Sequence, residues 1–348
     1  MKKLGFLAIV IAACLFSGCN PDNPSINDGN QDPVTTEEGF SVSPDKRVEF
    51  APGNLMFHAY SGTLEVDSVY IKTTGSGKNL KFYVDSVKTD NKFVVDFPNL
   101  HIRVDSARIE GKAGWVDSLM VDSVWVDHFV VDASFEEWQF AENQLAYVGL
   151  TLSSYEADAV EKTVDLFGWS GAGVKFGLST SNVDSVYGGE FVDWGTQYIG
   201  EYEQNVWHTL TSDEWGYLRW NRPNASNLCG VAQVAGVNGL VFLPDNWKNT
   251  PELTFVPGFD VNYGAQYYAV HQSFDEAQWA AMEAAGAVFL PAVGYADSDM
   301  VTITHYSYFG RYWSATPGVC LEFYSREAGR EANDLYRAIS VRLVKDVE

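Results

Sequence analysis

The sequence predicts an α+β fold, with two short helices set among many short strands and long loops and interrupted by a β-rich insert. Three observations predict it: two capping-box signatures, short runs of period-two alternation rich in Val, Ile, Phe and Tyr, and an aromatic content of 14% that includes 11 Trp and 18 Tyr. The 348 residues are enough to bury one large core or two small ones. A formal charge of −23, from 46 acidic and 23 basic side chains, surrounds the chain with a field that repels phosphate. Nucleic acid is therefore excluded as an expected partner.

Residues 1–18 read as a signal peptide. Lys2 and Lys3 precede an apolar run from Leu4 to Phe16 that is too short to span a bilayer, and Ser17, Gly18 and Cys19 follow. Small residues just before a Cys resemble a bacterial lipoprotein signal, which implies a lipid anchor at Cys19 and a place in the cell envelope as an outer-membrane lipoprotein, with a surface-exposed position open. Ile11-Ala12-Ala13-Cys14 also fits the letters, but cleavage there would leave a very short apolar region. Residues 19–39 have no apolar periodicity and five acidic groups, which describes a solvated tether. Oligomeric state is not legible in the sequence.

Residues 59–133 form the β-rich insert. Val-Asp-Ser recurs at Val66, Val84, Val104, Val116 and Val121, and Val-Asp at Val126 and Val131, within alternating apolar and polar residues. One Asp per strand on a wet face is ordinary edge protection, and calcium loops instead cluster oxygen ligands around a Gly turn. Residues 40–58 and 134–348 then make one domain interrupted by this insert. Within it, Thr211-Ser212-Asp213-Glu214 opens a helix through Trp215 and Leu218 that ends by Pro223. Ser273-Phe274-Asp275-Glu276 opens a second through Trp279 and Met282 that stops at Gly286.

Several segments together resemble a known family. SVSPDKRVEFAPGNLMFH from Ser41, WQFAENQLAYVG from Trp138, DLFGWSGAG from Asp165, FVDWG from Phe191, WHTLTSDEWGYLRWNR from Trp207, GVNGLVFLPDNW from Gly236, AGAVFLPAVGY from Ala285, YWSAT from Tyr312 and SVRLVKD from Ser340 occur in this order. They resemble exported lipoproteins of Bacteroidetes and Fibrobacter that carry the Fibrobacter succinogenes major paralogous domain. That domain is similar to the formylglycine-generating-enzyme branch of the C-type lectin-like fold. The resemblance implies a loop-rich α+β domain with paired ends, Val48 to Phe50 lying near Val341 to Val344, and long loops presented on one face.

The activity of that enzyme branch does not carry over, because Cys229 and Cys320 stand alone rather than as a closely placed copper pair. These two cysteines form one disulfide or remain two buried thiols. The calcium-dependent sugar motif is incomplete, since Leu243 replaces a ligating amide; Asp245 and Asn246 read as turn formers bonding nearby backbone. No metal or cofactor is expected. Gly168, Gly171 and Gly173 lack a phosphate-loop ending and read as a tight turn beside Trp169. Ser314 lacks a nucleophile elbow, and Glu214 and Asp213 are explained by capping. Convergence of His305, Asp245 or Glu214 in one pocket would point to an enzyme instead.

The stretch from Tyr295 to Tyr336 is the candidate binding surface. Tyr295, His305, Tyr306, Tyr308, Arg311, Tyr324, Arg326, Arg330, Asn333 and Tyr336 interleave with small residues. Large side chains with polar handles suit a glycan or protein ligand, and Tyr312 and Trp313 read as core. The expected function is a non-catalytic, lipid-anchored binding protein. The alternative is a structural or assembly component whose 59–133 insert meets a partner, and a third reading is a degenerate relative of the formylglycine-generating enzymes with residual activity.

Overall fold

The computed structural model describes residues 39–74, 81–89, 92–94, 100–101, 108–109, 123–152, 161–171, 175–178, 181–297 and 303–347. The expected signal at 1–18, Cys19, the tether up to residue 38, and Val104, Val116 and Val121 lie outside these residues. Among the described residues the fold is mixed α+β, mostly short strands in small sheets with few helices.

The two ends of the domain meet in one sheet. Strands β1 (Phe40–Ser43) and β2 (Lys46–Phe50) pair antiparallel, and β19 (Val344–Asp346) adds to β2 with Val344 opposite Phe50 and Asp346 opposite Val48. The ladder continues beyond the strands, where Ala51 N–H donates to the Leu343 carbonyl and Leu55 N–H to that of Val341, both at 2.9 Å.

From there the chain enters β3 (Leu55–Thr74), which pairs with β8 (Ser123–Phe140) from Leu55–Phe140 to Lys72–Ser123. Strands β4 (Lys81–Thr89) and β5 (Lys92–Val94) extend one side of this ribbon, β6 (Leu100–His101) and β7 (Arg108–Ile109) pair with β8, and β9 (Glu161–Val164) pairs with β3 near its start. Both long strands run without a break across residues 59 and 133, so the Val-Asp segment continues ladders that begin in the domain. Residues Glu37–Glu348 form one compact unit.

A second sheet has the order β12-β10-β11-β13, built from β12 (Ser273–Phe274), β10 (Cys229–Val234), β11 (Val237–Phe242) and β13 (Val288–Pro291). The β11 and β13 segments are the two VFLP-containing stretches, and they lie side by side with Leu240 opposite Leu290. Strands β14 (Tyr295–Ala296) and β15 (Ile303–Thr304) make a short ladder. Strands β16 (Gly310–Trp313), β17 (Val319–Tyr324) and β18 (Glu327–Ala332) make an antiparallel meander.

Four α-helical segments are described: α1 (Asp184–Tyr187), α2 (Ser212–Gly216), α3 (Gln266–His271) and α4 (Glu276–Ala284). The Thr211 hydroxyl and Glu214 carboxylate form the expected reciprocal box at α2, which runs on as a π-helical turn over Tyr217–Asn221. At α4 the cap is Asp275, reciprocated by Gln278, rather than Ser273. The reason is that Ser273 and Phe274 are held extended by parallel pairing to Gln233 and Val234, so the helix starts two residues later. Helices α1 and α3 carry no side-chain cap bond and left no signature in the sequence.

The core holds Trp169, Trp194, Trp215, Tyr312 and Trp313 fully buried. Their indoles still find acceptors, as Trp313 Nε1 donates to the Phe167 carbonyl at 2.6 Å and Trp169 Nε1 to that of Ser314 at 3.2 Å. The glycines beside Trp169 answer to close packing: a Cβ on Gly168 would lie 2.2 Å from the Tyr187 ring, and one on Gly171 would lie 2.0 Å from the Tyr187 carbonyl oxygen.

Cys229 and Cys320 are buried free thiols, so no disulfide joins them. They belong to different core clusters, Cys229 packing with Val231 and Phe242 and Cys320 with Trp313 and Ile339. Burial pushes the Cys229 thiol up to about 11 and the Cys320 thiol up to about 12. A soluble chain starting at Phe40 is therefore expected to show no thiol reaction with a thiolate-selective disulfide reagent at pH 8 while native, and two equivalents in guanidinium chloride. One or more fast equivalents in the native protein would contradict this burial.

Candidate functional site

The aromatic residues of the C-terminal third gather where three segments meet: the β14–β16 loop, the β17–β18 hairpin and the loop at 258–264 before α3. Asp260 N–H donates to the Ser325 carbonyl, Gly264 N–H to the Ser325 hydroxyl, and that hydroxyl to the Asn262 carbonyl. Ser325 is buried, so these bonds fix the loop against the hairpin. This docking brings Tyr263 edge-on to Tyr308 at 4.7 Å and to Tyr324 at 5.2 Å.

The cluster continues inward through T-shaped and tilted contacts of the kind aromatic quadrupoles favour. Phe309 lies 5.2 Å from Tyr324 and 5.0 Å from His305, and His305 stacks on Tyr295 at 5.6 Å with planes 20° apart. His305 and Ser307 both adopt left-handed backbone, with φ of 58° and 60°. Non-glycine residues rarely adopt it, and here the two bracket the exposed Tyr306. The His305 carbonyl accepts from the Tyr308 and Phe309 amides, which holds the turn.

Arg311 is a supporting group. Its guanidinium lies 4.2 Å above the Tyr295 ring, its Nε donates to Glu322 at 2.5 Å, and its Nη1 to Asn333 at 3.2 Å. The Arg311 and Glu322 side chains are each nearly buried, so the pair cancels charge beneath the aromatic surface. Partial burial and the Glu327 carboxylate push the Tyr324 phenol up to about 12, and partial burial with Tyr308 takes Tyr263 to about 12. Tyr263 and Tyr324 are therefore neutral phenols across the physiological range.

The expected residues divide accordingly. Tyr295, His305, Tyr308, Arg311 and Tyr324 come together, with Asn333 buried behind Arg311. Of these, Tyr295 on β14, Arg311 on β16 and Asn333 just after β18 lie in the layer under the cluster; they support the surface and do not form it. Tyr306 pairs its hydroxyl with that of Tyr147 at 2.7 Å. Arg326 is exposed beside the β17–β18 turn, Tyr336 accompanies Asp184, and Arg330 turns toward α2, where it meets Asp213 at 2.7 Å. These three fall outside the cluster: Arg330 sits opposite Leu321 on β18, on the other face from Tyr324, while Arg326 and Tyr336 are turn residues held apart from it. Tyr263 and Phe309 belong to the cluster and Tyr147 pairs with Tyr306, and none of the three was expected. The aromatic run Tyr263, Tyr267, Tyr268 was the available signal for the first.

Among the described residues no contact joins His305, Asp245 and Glu214: His305 packs in the aromatic cluster, and the two carboxylates meet different cations of β2, Asp245 meeting Arg47 and Glu214 meeting Lys46. Asp245 accepts from the Ser41 amide and hydroxyl and from Arg222, bonding across the fold and not to nearby backbone as expected. Glu214 accepts from Thr211 and from Lys46. Among the described residues no group of three or more His, Cys, Asp or Glu is placed to hold a metal ion. Comparison with protein-family models, with curated proteins and with solved structures gave no match.

Proposed function

We propose that this chain is a lipid-anchored cell-envelope protein, held by Cys19, whose C-type lectin-like domain binds a glycan or protein ligand without catalysis. The single observation that carries the binding role is the aromatic surface of Tyr263, His305, Tyr308 and Tyr324, assembled from three segments over a charge-neutralised layer, with the exposed Tyr306 following His305 in the chain. Rigid aromatic side chains with polar tips give large contact area at small entropy cost. The C-type lectin-like reading is supported by the paired ends, the two capping-box helices and the loop-rich C-terminal third. The lipid anchor is supported by the sequence around Cys19.

The test is a glycan array and a cell-surface pull-down comparing the native chain with a Tyr263→Ala, Tyr306→Ala, Tyr308→Ala variant. Arg311 is left intact because its ion pair with Glu322 would confound a loss of binding with a loss of structure. Truncating aromatic anchors removes about 2 kcal/mol or more, which is roughly thirty-fold in affinity. Unchanged binding by the triple variant would remove the aromatic surface from the ligand site.

A further inference from the structure

Trp220 stands apart: at 47% it is the only exposed tryptophan among those whose side chains are described. It lies in the π-helical turn after α2, a rare geometry found frequently at functional sites, which buries Leu218 and leaves Trp220 on the outside. Two guanidiniums flank it, with Arg219 5.9 Å and Arg330 5.8 Å from the ring centroid.

The two cations differ in what neutralises them. Arg330 is paired with Asp213, whose side chain is almost wholly exposed. Arg219 lies 4.8 Å over the Phe259 ring, makes no ion pair among the described residues, and its Nε has no hydrogen-bond partner. In a chain with twice as many acids as bases, Arg219, Arg330 and Asp213 together leave one positive charge in excess beside an exposed indole.

We propose that Trp220, Arg219 and Arg330 form a binding site for a uronic-acid-bearing glycan. The apolar face of the pyranose stacks on the indole, the uronate carboxylate meets the Arg219 guanidinium, and Asp213 and Arg330 bond the ring hydroxyls. One free cation matches one carboxylate per sugar. A nucleotide would bring a stacking base with more than one phosphate charge into the field of a strongly acidic protein, which the chain opposes. The site lies on the other flank of the 258–264 loop from the aromatic cluster, since Phe259 sits under Arg219 while Tyr263 meets Tyr308 and Tyr324. It stands whether or not that cluster binds a ligand.

The test is calorimetric titration of the full-length chain in detergent with trigalacturonate, a hyaluronan hexasaccharide and trimannuronate, using methyl-esterified trigalacturonate and UMP as controls. At least one uronate is expected to bind, and to bind at least about ten-fold more weakly to Trp220→Ala and to Arg219→Gln, as expected for loss of a stacking or charge-assisted contact. Trp220→Phe, which keeps an aromatic face, retains binding within about three-fold and separates stacking from damage to the fold. A neutral ester that binds about ten-fold more weakly confirms the role of the carboxylate. The proposal is overturned if none of the three uronates binds, if Trp220→Ala binds as the native chain does, if the ester binds as tightly as the acid, or if UMP binds more tightly than every uronate.

Discussion

Replacing Arg342 with Ala is expected to cost the domain about 4 kcal/mol, read as a fall in the guanidinium unfolding free energy. Arg342 is fully buried and has no ion pair among the described residues. Its Nε donates to Asn54 Oδ1 at 3.0 Å, Nη1 to the Ala51 carbonyl at 3.1 Å, and Nη2 to the Phe289 carbonyl at 3.0 Å. Asn54 in turn donates to the Tyr312 hydroxyl, which donates to the Pro291 carbonyl.

One side chain thus ties the last segment of the chain to the loop before β3 and to β13. Truncation leaves three acceptors without donors in a dry interior and opens a cavity as well. Burial already pulls the guanidinium down to about 10, which reflects how poorly solvated the cation is. Arg342→Lys should recover only part of the loss, because one ammonium lacks the planar fork that spans three acceptors. A loss below about 1 kcal/mol for Arg342→Ala would mean that water replaces the guanidinium and that the clamp is unimportant.

The second large effect is expected at Asp245. Its Oδ1 accepts from Arg222 Nη1 at 2.9 Å, and its Oδ2 accepts from the Ser41 amide and hydroxyl at 2.8 and 2.5 Å. The Arg222 side chain is wholly buried and otherwise donates to the carbonyls of Leu218, Leu228 and Leu243. Asp245→Ala strands that cation and frees β1 at the same time, for a loss of about 3–5 kcal/mol, or roughly 10 °C in Tm. Adding Arg222→Met to Asp245→Ala removes the stranded charge and should restore part of the stability, since an apolar replacement of a buried pair is tolerated far better than half a pair. A double variant no more stable than Asp245→Ala would assign the loss to Ser41 and β1 instead.

These two residues mark the limit of what the sequence discloses. Arg342 lies in Ser340-Val341-Arg342-Leu343-Val344, where alternation along an extended chain would put Ser340 and Arg342 on a wet face. In the fold all five residues are buried, because β2, β13 and β16 enclose the segment from more than one side. Asp245 follows a proline and precedes an asparagine, which reads as a turn. Its hydrogen-bond partners Ser41 and Arg222 are 204 and 23 residues away, and Arg47 adds an ion pair from β2; nothing local announces them.

The candidate site shows the same division. Its C-terminal half was legible as a density of Tyr and Arg between residues 295 and 336. Which of those face outward was not, because facing depends on which side of β14, β16 and β17 the core lies. Tyr263 and Trp220 are 32 and 75 residues upstream of Tyr295, and they reach this region only through loop docking and a π-turn.

What the sequence determined by itself was local: the Thr211–Glu214 capping box, the period-two strands, the mixture of few helices with many strands, and the aromatic core at Tyr312 and Trp313. Each follows from hydrogen bonds and alternation within a few residues, so a short window contains its cause. The tertiary structure alone decided that Cys229 and Cys320 remain thiols, that Ser273 joins a strand and leaves the cap to Asp275, that Arg342 is buried, and that Tyr263 meets Tyr308. Those outcomes turn on desolvation and on partners far away in the chain, which exist only once the sheets have closed around them.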